Sequence, residues 1–331
     1  MQTKILAIDE ASLKLSKDII SNGGAVAFPT ETVYGLGANA FDDEAVKNIF
    51  TIKGRPSDNP LIVHVHKDYD ISNLAEFVPE YAKKLIKEFL PGPLTLVFKS
   101  KDKVAKSVSC GLDTLAIRIP SHSGAQEFLK FLNLPIAAPS ANISKHVSPV
   151  SAQHVFSDLN GKIELILDGG KSEGGIESTV LDCTGEIPTI LRSGLVTREM
   201  IEGVVGICSF YKLKEGEAVR SPGMKYKHYS PNCQTRLYPF NERNKAVQEY
   251  KKQTSSGLKT YIMCDDTTAK LIGVENILNL GKTEREIASN LYAKLREGEQ
   301  LAEFIIAIAP EKQDGIMVGV MNRLEKACKS Q

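Results

Sequence analysis

The sequence predicts an α/β protein. A mixed twisted sheet with helices is expected over residues 1–210, then a smaller parallel α/β domain over 233–331. Three observations lead there. Short apolar runs alternate with amphipathic stretches along most of the 331 residues. Within 1–210 several strand-like runs follow one another directly, which points to a mixed sheet rather than a strictly parallel one. Between the two parts, YKLKEGEAVRSPGMKYKHYSPN at 211–232 carries Pro222-Gly223, Pro231 and little periodicity, as a linker does.

Taken in order, GGAVAFPT (23–30) reads as a buried strand closed by Pro29. DEAVKNIFTIKG (43–54) reads as a helix, with Ala45, Ile49 and Ile52 at helical spacing and Gly54 past its end. LIVHV (61–65) is a strand, and PEYAKKLIKEFLPGP (79–93) is an amphipathic helix stopped by Pro91, Gly92 and Pro93. LTLVFK, TLAIRIP, LPIAAPS, ELILDGG, STVLDC and PTILRSG supply further strands. After 232 the strands TRLYPF, LKTYIMC, NILNL and EFIIAIA are separated by helical stretches, as in a Rossmann-like parallel unit. The helix at 283–297 opens on a Thr283/Glu286 capping box and aligns Ile287, Leu291 and Leu295.

Composition is that of an ordinary globular chain, 42% hydrophobic and 24% charged. Residues 1–210 carry 21 Lys+Arg against 25 Asp+Glu, which argues against strong nonspecific nucleic-acid binding. Six cysteines without a CxxC pair give no zinc spacing and suit reduced thiols in the cytosol. MQTKILAIDE lacks the apolar core of a signal peptide, and no run approaches the roughly 18 apolar residues of a membrane span. The expectation is a cytoplasmic protein without a membrane segment.

Two motifs mislead. GGKS at 169–172 looks like the end of a phosphate-binding loop, but Leu165 stands where that loop needs glycine. GLGANA at 35–40 fits a dinucleotide pattern, yet no acidic ribose ligand follows at the right distance, so it reads as a glycine-rich turn. More informative is KGRPSDNPLIVHV at 53–65. Pro56 and Pro60 stiffen a loop bearing Lys53 and Arg55, a point charge and a planar fork that together suit a polyphosphate. His64 follows as a pocket wall or orienting donor, while His66 is given no role.

In DTLAIRIP (113–120), Leu115, Ile117 and Ile119 face one way and Thr114, Ala116 and Arg118 the other. A mid-strand arginine is costly to bury unpaired, so Arg118 meets an acid or faces an anionic ligand. AAPSANIS offers Ser140 and Asn142, GGIESTVLD offers Glu177, Ser178 and Thr179, and LRSG offers Arg192. Each is weak alone. Lys53, Arg55, Arg118 and Arg192 together, in an acidic domain, ask for an anionic ligand.

FPTETVYGLG, KGRPSDNPL, LDTLAIRIP, APSAN, ESTV, LRSG and SPGMKYKHYSP occur in this order along essentially the whole chain. The ordered set resembles the YrdC-type threonylcarbamoyl-AMP synthases in their two-domain form. The resemblance implies a YrdC-like first domain and a nucleotidyltransferase reaction: L-threonine, bicarbonate and ATP, with Mg²⁺ on the phosphates, give L-threonylcarbamoyladenylate and pyrophosphate. This is the first step of threonylcarbamoyladenosine formation on tRNA.

The resemblance further implies that Lys53, Arg55 and Asn59 hold the ATP phosphates, with Lys53 and Arg55 as the catalytic pair. Thr114, Ser140, Asn142, Ser148 and Arg192 line the nucleotide side. Thr32, His64, Arg118, Ala138 and Ser178 surround threonine, with Arg118 on its carboxylate. The linker, through Tyr226, His228 and Tyr229, closes on bound ATP, and cutting near Glu217 is expected to lower activity while the first domain still folds. Downstream partners are proteins that transfer the threonylcarbamoyl group to tRNA, and a weak direct tRNA contact stays open. Two alternatives remain at this level, a module that only presents tRNA and a carbamoyl transferase.

Overall fold

Residues 1–211 and 229–328 are described in a computed structural model of the chain. The chain divides into two units. The first takes Met1–Ser144 and Pro149–Glu173 and resumes at Glu177; the second takes Lys145–Ser148, Gly174–Ile176 and the C-terminal part. Tyr226 and His228, with most of the expected linker, lie outside the described residues.

The first unit opens with β1 (Lys4–Ala7), α1 (Glu10–Ser21), β2 (Val26–Phe28), β3 (Gly35–Asn39), α2 (Asp43–Lys53) and β4 (Ile62–His64). It continues with α3 (Glu80–Phe89), β5 (Leu94–Lys99), α4 (Lys106–Ser109), β6 (Thr114–Arg118), α5 (Ser123–Leu132) and β7 (Ile136–Ala138). Its last elements are α6 (Ala152–Leu159), β8 (Leu165–Asp168), β9 (Thr179–Asp182), β10 (Thr189–Arg192), α7 (Arg198–Val205) and β11 (Ser209–Phe210). Local chemistry fixes the helix ends. Asp9 and Ser12 form a capping box on α1, while Asp42 accepts from the amides of Glu44 and Ala45 on α2. Gly54, at φ 61°, stops α2 in the left-handed conformation that glycine takes without strain.

The described strands form one mixed sheet in the order β1-β8-β2-β3-β7-β4-β6-β5-β9-β10-β11. Pairs such as β4–β6 and β5–β9 are parallel, whereas β3–β7, β4–β7 and β5–β6 are antiparallel. One face carries Val63, Leu96, Leu115 and Ile117 against Ile49 and Phe50 of α2 and Leu85 of α3. Each such side chain contributes roughly 1.5–3 kcal/mol on full burial. The opposite face is covered at one end by α1 and α5, through Ile19, Ile20, Phe128 and Leu129. Toward the other end of that face lies a smaller apolar cluster of Ile62, Val97, Ala116, Val180 and Leu191. All of these come from strands, and among the described residues no helix contributes to this cluster.

One expectation is corrected. GLGANA is not a turn: residues 35–39 form β3, paired with β2 and β7. Its glycines serve packing. A Cβ on Gly37 would stand 2.5 Å from Ile136 Cγ2 and 2.9 Å from the Phe28 ring. The Phe28 ring occupies the space that side chains on β3 would need.

The second unit holds β12 (Gln234–Tyr238), α8 (Arg243–Ser255), β13 (Thr260–Cys264), α9 (Asp266–Ile272), β14 (Ile277–Asn279), α10 (Glu284–Leu301), β15 (Phe304–Ile308) and α11 (Ile316–Cys328). Its four strands are all parallel, in the order β12-β15-β13-β14. The Thr283/Glu286 capping box forms as the sequence predicts. Within this unit Ser148 is buried, and the buried Tyr229 ring stacks on Tyr292 of α10 at 5.4 Å between centroids.

Candidate active site

The first unit sets several of its buried polar residues, among them His64, Thr95 and Arg118, on the same sheet face as the strand-only apolar strip. Parallel pairing of β4 with β6 sets His64 beside Arg118, and antiparallel pairing of β5 with β6 sets Thr95 on the other side of Arg118. Cross-strand partners share a face, so these three line one row across the sheet. Ala138 is paired with Ile62, one pleat along the same surface.

Arg118 is 4% exposed, and its Nη2 lies 2.7 Å from Glu31 Oε1. The acid that a mid-strand arginine requires is therefore Glu31, from the turn between β2 and β3. The contact is close but off-angle: Nε and Nη2 of Arg118 and both Glu31 carboxylate oxygens are buried without an aligned hydrogen bond. Thr32, also buried, follows Glu31 directly and meets the Thr30 hydroxyl at 2.9 Å.

His64 is buried, with Nδ1 3.1 Å from the Ile62 carbonyl and its ring edge-on to Phe28. Burial, and then the charge of Arg118, push its pKa down to about 3, so the imidazole is neutral at physiological pH. A neutral ring beside a guanidinium adds a polar wall without competing for an anion. His66 instead contacts the Asn133 side chain at 3.3 Å, in keeping with a packing residue.

The phosphate-type motif has a different architecture from a pair of solvated cations. Lys53, the last residue of α2, is 2% exposed, and its ammonium donates to the backbone carbonyls of Ser140 and Asn142. Ser140 Oγ donates to Asn142 Oδ1, and Leu36 N donates to the Pro139 carbonyl, tying the loop after β7 to β3. Lys53 thus organises the Ser140–Asn142 loop while carrying positive charge into it. Arg55 curls back on its own loop, donating to the Asn59 carbonyl at 3.2 Å. Asn59 is 4% exposed, with its Oδ1 buried and without a hydrogen-bond partner.

At the far side of the strip, Arg192 Nε donates to the Ser178 carbonyl at 3.1 Å and its Nη2 to Ser178 Oγ at 3.2 Å. Ser178 Oγ lies 2.8 Å from Thr95 Oγ1. One hydrogen-bonded chain therefore runs from Arg192 through Ser178 to Thr95, which neighbours Arg118. Thr114 stands at the outer end of β6, two pleats from Arg118 on its face.

The residues fall into three groups in the first unit. His64, Arg118, Ala138, Ser178 and Arg192 share one sheet surface, with Thr32 in the β2–β3 turn next to Glu31, while Lys53, Ser140 and Asn142 form a hydrogen-bonded cluster beyond the end of β7. Arg55 and Asn59 meet each other in the loop that follows α2. Ser148 and Tyr229 belong to the second unit, and Tyr226 lies outside the described residues. Glu31 and Thr95 escaped the sequence reading. The need of Arg118 for an acid was legible, but nothing in a linear pattern says which acid.

Among the described residues no group of three His, Cys, Asp or Glu side chains is placed to hold a metal ion, and no helix is long and apolar enough to cross a membrane. A mixed sheet whose buried strip carries Arg118 and Arg192, followed by a parallel α/β unit, defines a two-part α/β protein. Residues 18–194 match a family described as "Telomere recombination", and residues 196–328 match the family "Threonylcarbamoyl-AMP synthase, C-terminal domain". The chain is 41% identical to the threonylcarbamoyl-AMP synthase of Pyrococcus abyssi, covering 97% of this chain and 95% of that one. It is 40% identical to the protein of that name from Bacillus subtilis, covering 98% and 95%. The crystal structure of Pyrococcus abyssi Sua5 complexed with L-threonine superposes with a TM-score of 0.91 at 40% identity, over 98% of each chain. The chain belongs to the threonylcarbamoyl-AMP synthase family.

Proposed function

We propose that this chain joins L-threonine, bicarbonate and ATP into L-threonylcarbamoyladenylate and pyrophosphate on the strip described above. The threonine amine adds carbon dioxide derived from bicarbonate and becomes a carbamate. A carbamate oxygen then attacks the α-phosphorus of ATP, and pyrophosphate leaves with the electrons of the broken P–O bond. No nucleophilic side chain is needed. The protein's task is to hold two anionic reactants in line and to offset charge on the leaving group.

The single observation that carries this reading is Arg118, buried on this sheet face beside a neutral His64 and without an aligned hydrogen bond on Nε or Nη2. Its fork suits the threonine carboxylate. Thr32, His64, Ala138 and Ser178 complete that end. Lys53, Arg55 and Asn59 receive the phosphates, and Thr114, Ser140, Asn142, Ser148 and Arg192, with Tyr226 and Tyr229, take the nucleotide. The Arg192–Ser178 hydrogen bonds support the reading, because they join a nucleotide-side residue to a threonine-side one. Mg²⁺ enters as the companion of the ATP phosphates, with no step assigned to it. The product passes to proteins that transfer the threonylcarbamoyl group to tRNA in the cytoplasm. Pyrophosphate release from ATP tests this: it is expected to require both threonine and bicarbonate, and release indifferent to threonine would overturn the proposal.

A further inference from the structure

Glu31 and Arg118 converge from 87 positions apart. Polar side-chain atoms as buried as these ordinarily find a hydrogen-bond partner. These do not: the carboxylate oxygens of Glu31 and Nε and Nη2 of Arg118 are buried with no aligned hydrogen bond, although Nη2 and Oε1 stand 2.7 Å apart. Among the described residues, neighbours do not compensate. His64 is neutral, and the Thr32 hydroxyl is turned to Thr30. Two opposite charges, close together and directionally unsatisfied, present acceptors beside donors. An α-amino acid zwitterion has the complementary pattern, with a carboxylate one atom away from an ammonium.

We propose that Glu31 binds the α-ammonium of the amino-acid substrate, forming with Arg118 a two-point clamp that selects a zwitterion over a simple carboxylate. The inference rests on the proposed placement of threonine at Arg118 and extends it to a residue outside that set. The clamp gives the acid a function beyond neutralising Arg118. Were neutralisation its only role, removing Glu31 would release Arg118 and strengthen the binding of any carboxylate, aminated or not.

The test compares L-threonine with (R)-3-hydroxybutyrate, which keeps the carboxylate and hydroxyl but lacks the amine. Both are titrated by ligand-observed NMR against the full chain, as wild type, Glu31→Gln and Glu31→Asp, with unfolding midpoints recorded. The wild type is expected to prefer threonine. Glu31→Gln should lose about tenfold or more in threonine affinity, as for a lost charge-assisted contact, while 3-hydroxybutyrate binding stays level or improves. Glu31→Asp, which keeps the charge, should retain more of the preference and serves if the Gln variant does not fold. Equal weakening of both ligands, or an unchanged ratio, overturns the role of Glu31 while leaving the threonine site intact. A wild type that binds 3-hydroxybutyrate but not threonine would overturn the clamp and the substrate reading together.

Discussion

Arg118 and His64 show how a single strand pairing sets up chemistry. Arg118→Lys keeps the charge that balances Glu31 but replaces a planar fork with a point donor. The KM for threonine is expected to rise about tenfold or more with the fold retained, as steady-state kinetics and a melting curve would read. An unchanged KM would remove Arg118 from the threonine carboxylate. His64 makes a pH prediction. In the unfolded chain it takes up a proton as pH falls through about 6.5, whereas folded His64, held down by burial and by Arg118, does so only near 3. Its contribution to stability is therefore complete above pH 6.5 and is lost as pH falls toward 3. Urea unfolding at pH 7 and pH 5 should show wild type losing about 2 kcal/mol more than His64→Asn over that interval. Equal losses would mean that the folded imidazole titrates normally.

At the level of elements, the loop after β7 depends on the end of α2. Lys53→Met preserves the apolar stem but withdraws the ammonium from the Ser140 and Asn142 carbonyls. A loss of about 1–3 kcal/mol is expected for each buried carbonyl left unsatisfied, together with a collapse of turnover, measured by denaturation and by pyrophosphate release. Gly37 offers a test away from the site. The Cβ of Gly37→Ala would collide with Ile136 and the Phe28 ring, and overpacking should cost about 1–3 kcal/mol in a urea titration.

The same elements mark what the sequence disclosed. The alternation in β6 announced its apolar face and its Arg118 face, and both stand as read. The helix at 43–53 and the capping box of α10 were legible from spacing alone. β3 was not, because a strand whose glycines make room for a neighbour's ring looks like a turn when that ring is unknown. The Glu31–Arg118 and Thr95–Ser178 contacts were hidden for a related reason: strand order brings them together, and no local pattern encodes strand order.

For the molecule as a whole, the described apolar clusters of the first unit draw on residues 5–211, which gives that unit a core of its own. A chain ended at Glu217 is expected to melt cooperatively yet turn over slowly, because on the proposed reading, which follows the family resemblance, Tyr226, His228 and Tyr229 close the nucleotide side. Turnover equal to that of the full chain would release the C-terminal half from any part in the reaction. The most direct measurement is mass spectrometry of the full-length protein incubated with ATP, Mg²⁺, L-threonine and ¹³C-bicarbonate. Threonylcarbamoyladenylate carrying one ¹³C is expected, formed together with pyrophosphate and only when threonine is present. Pyrophosphate without a labelled adenylate, or an adenylate without label, would contradict the proposed reaction.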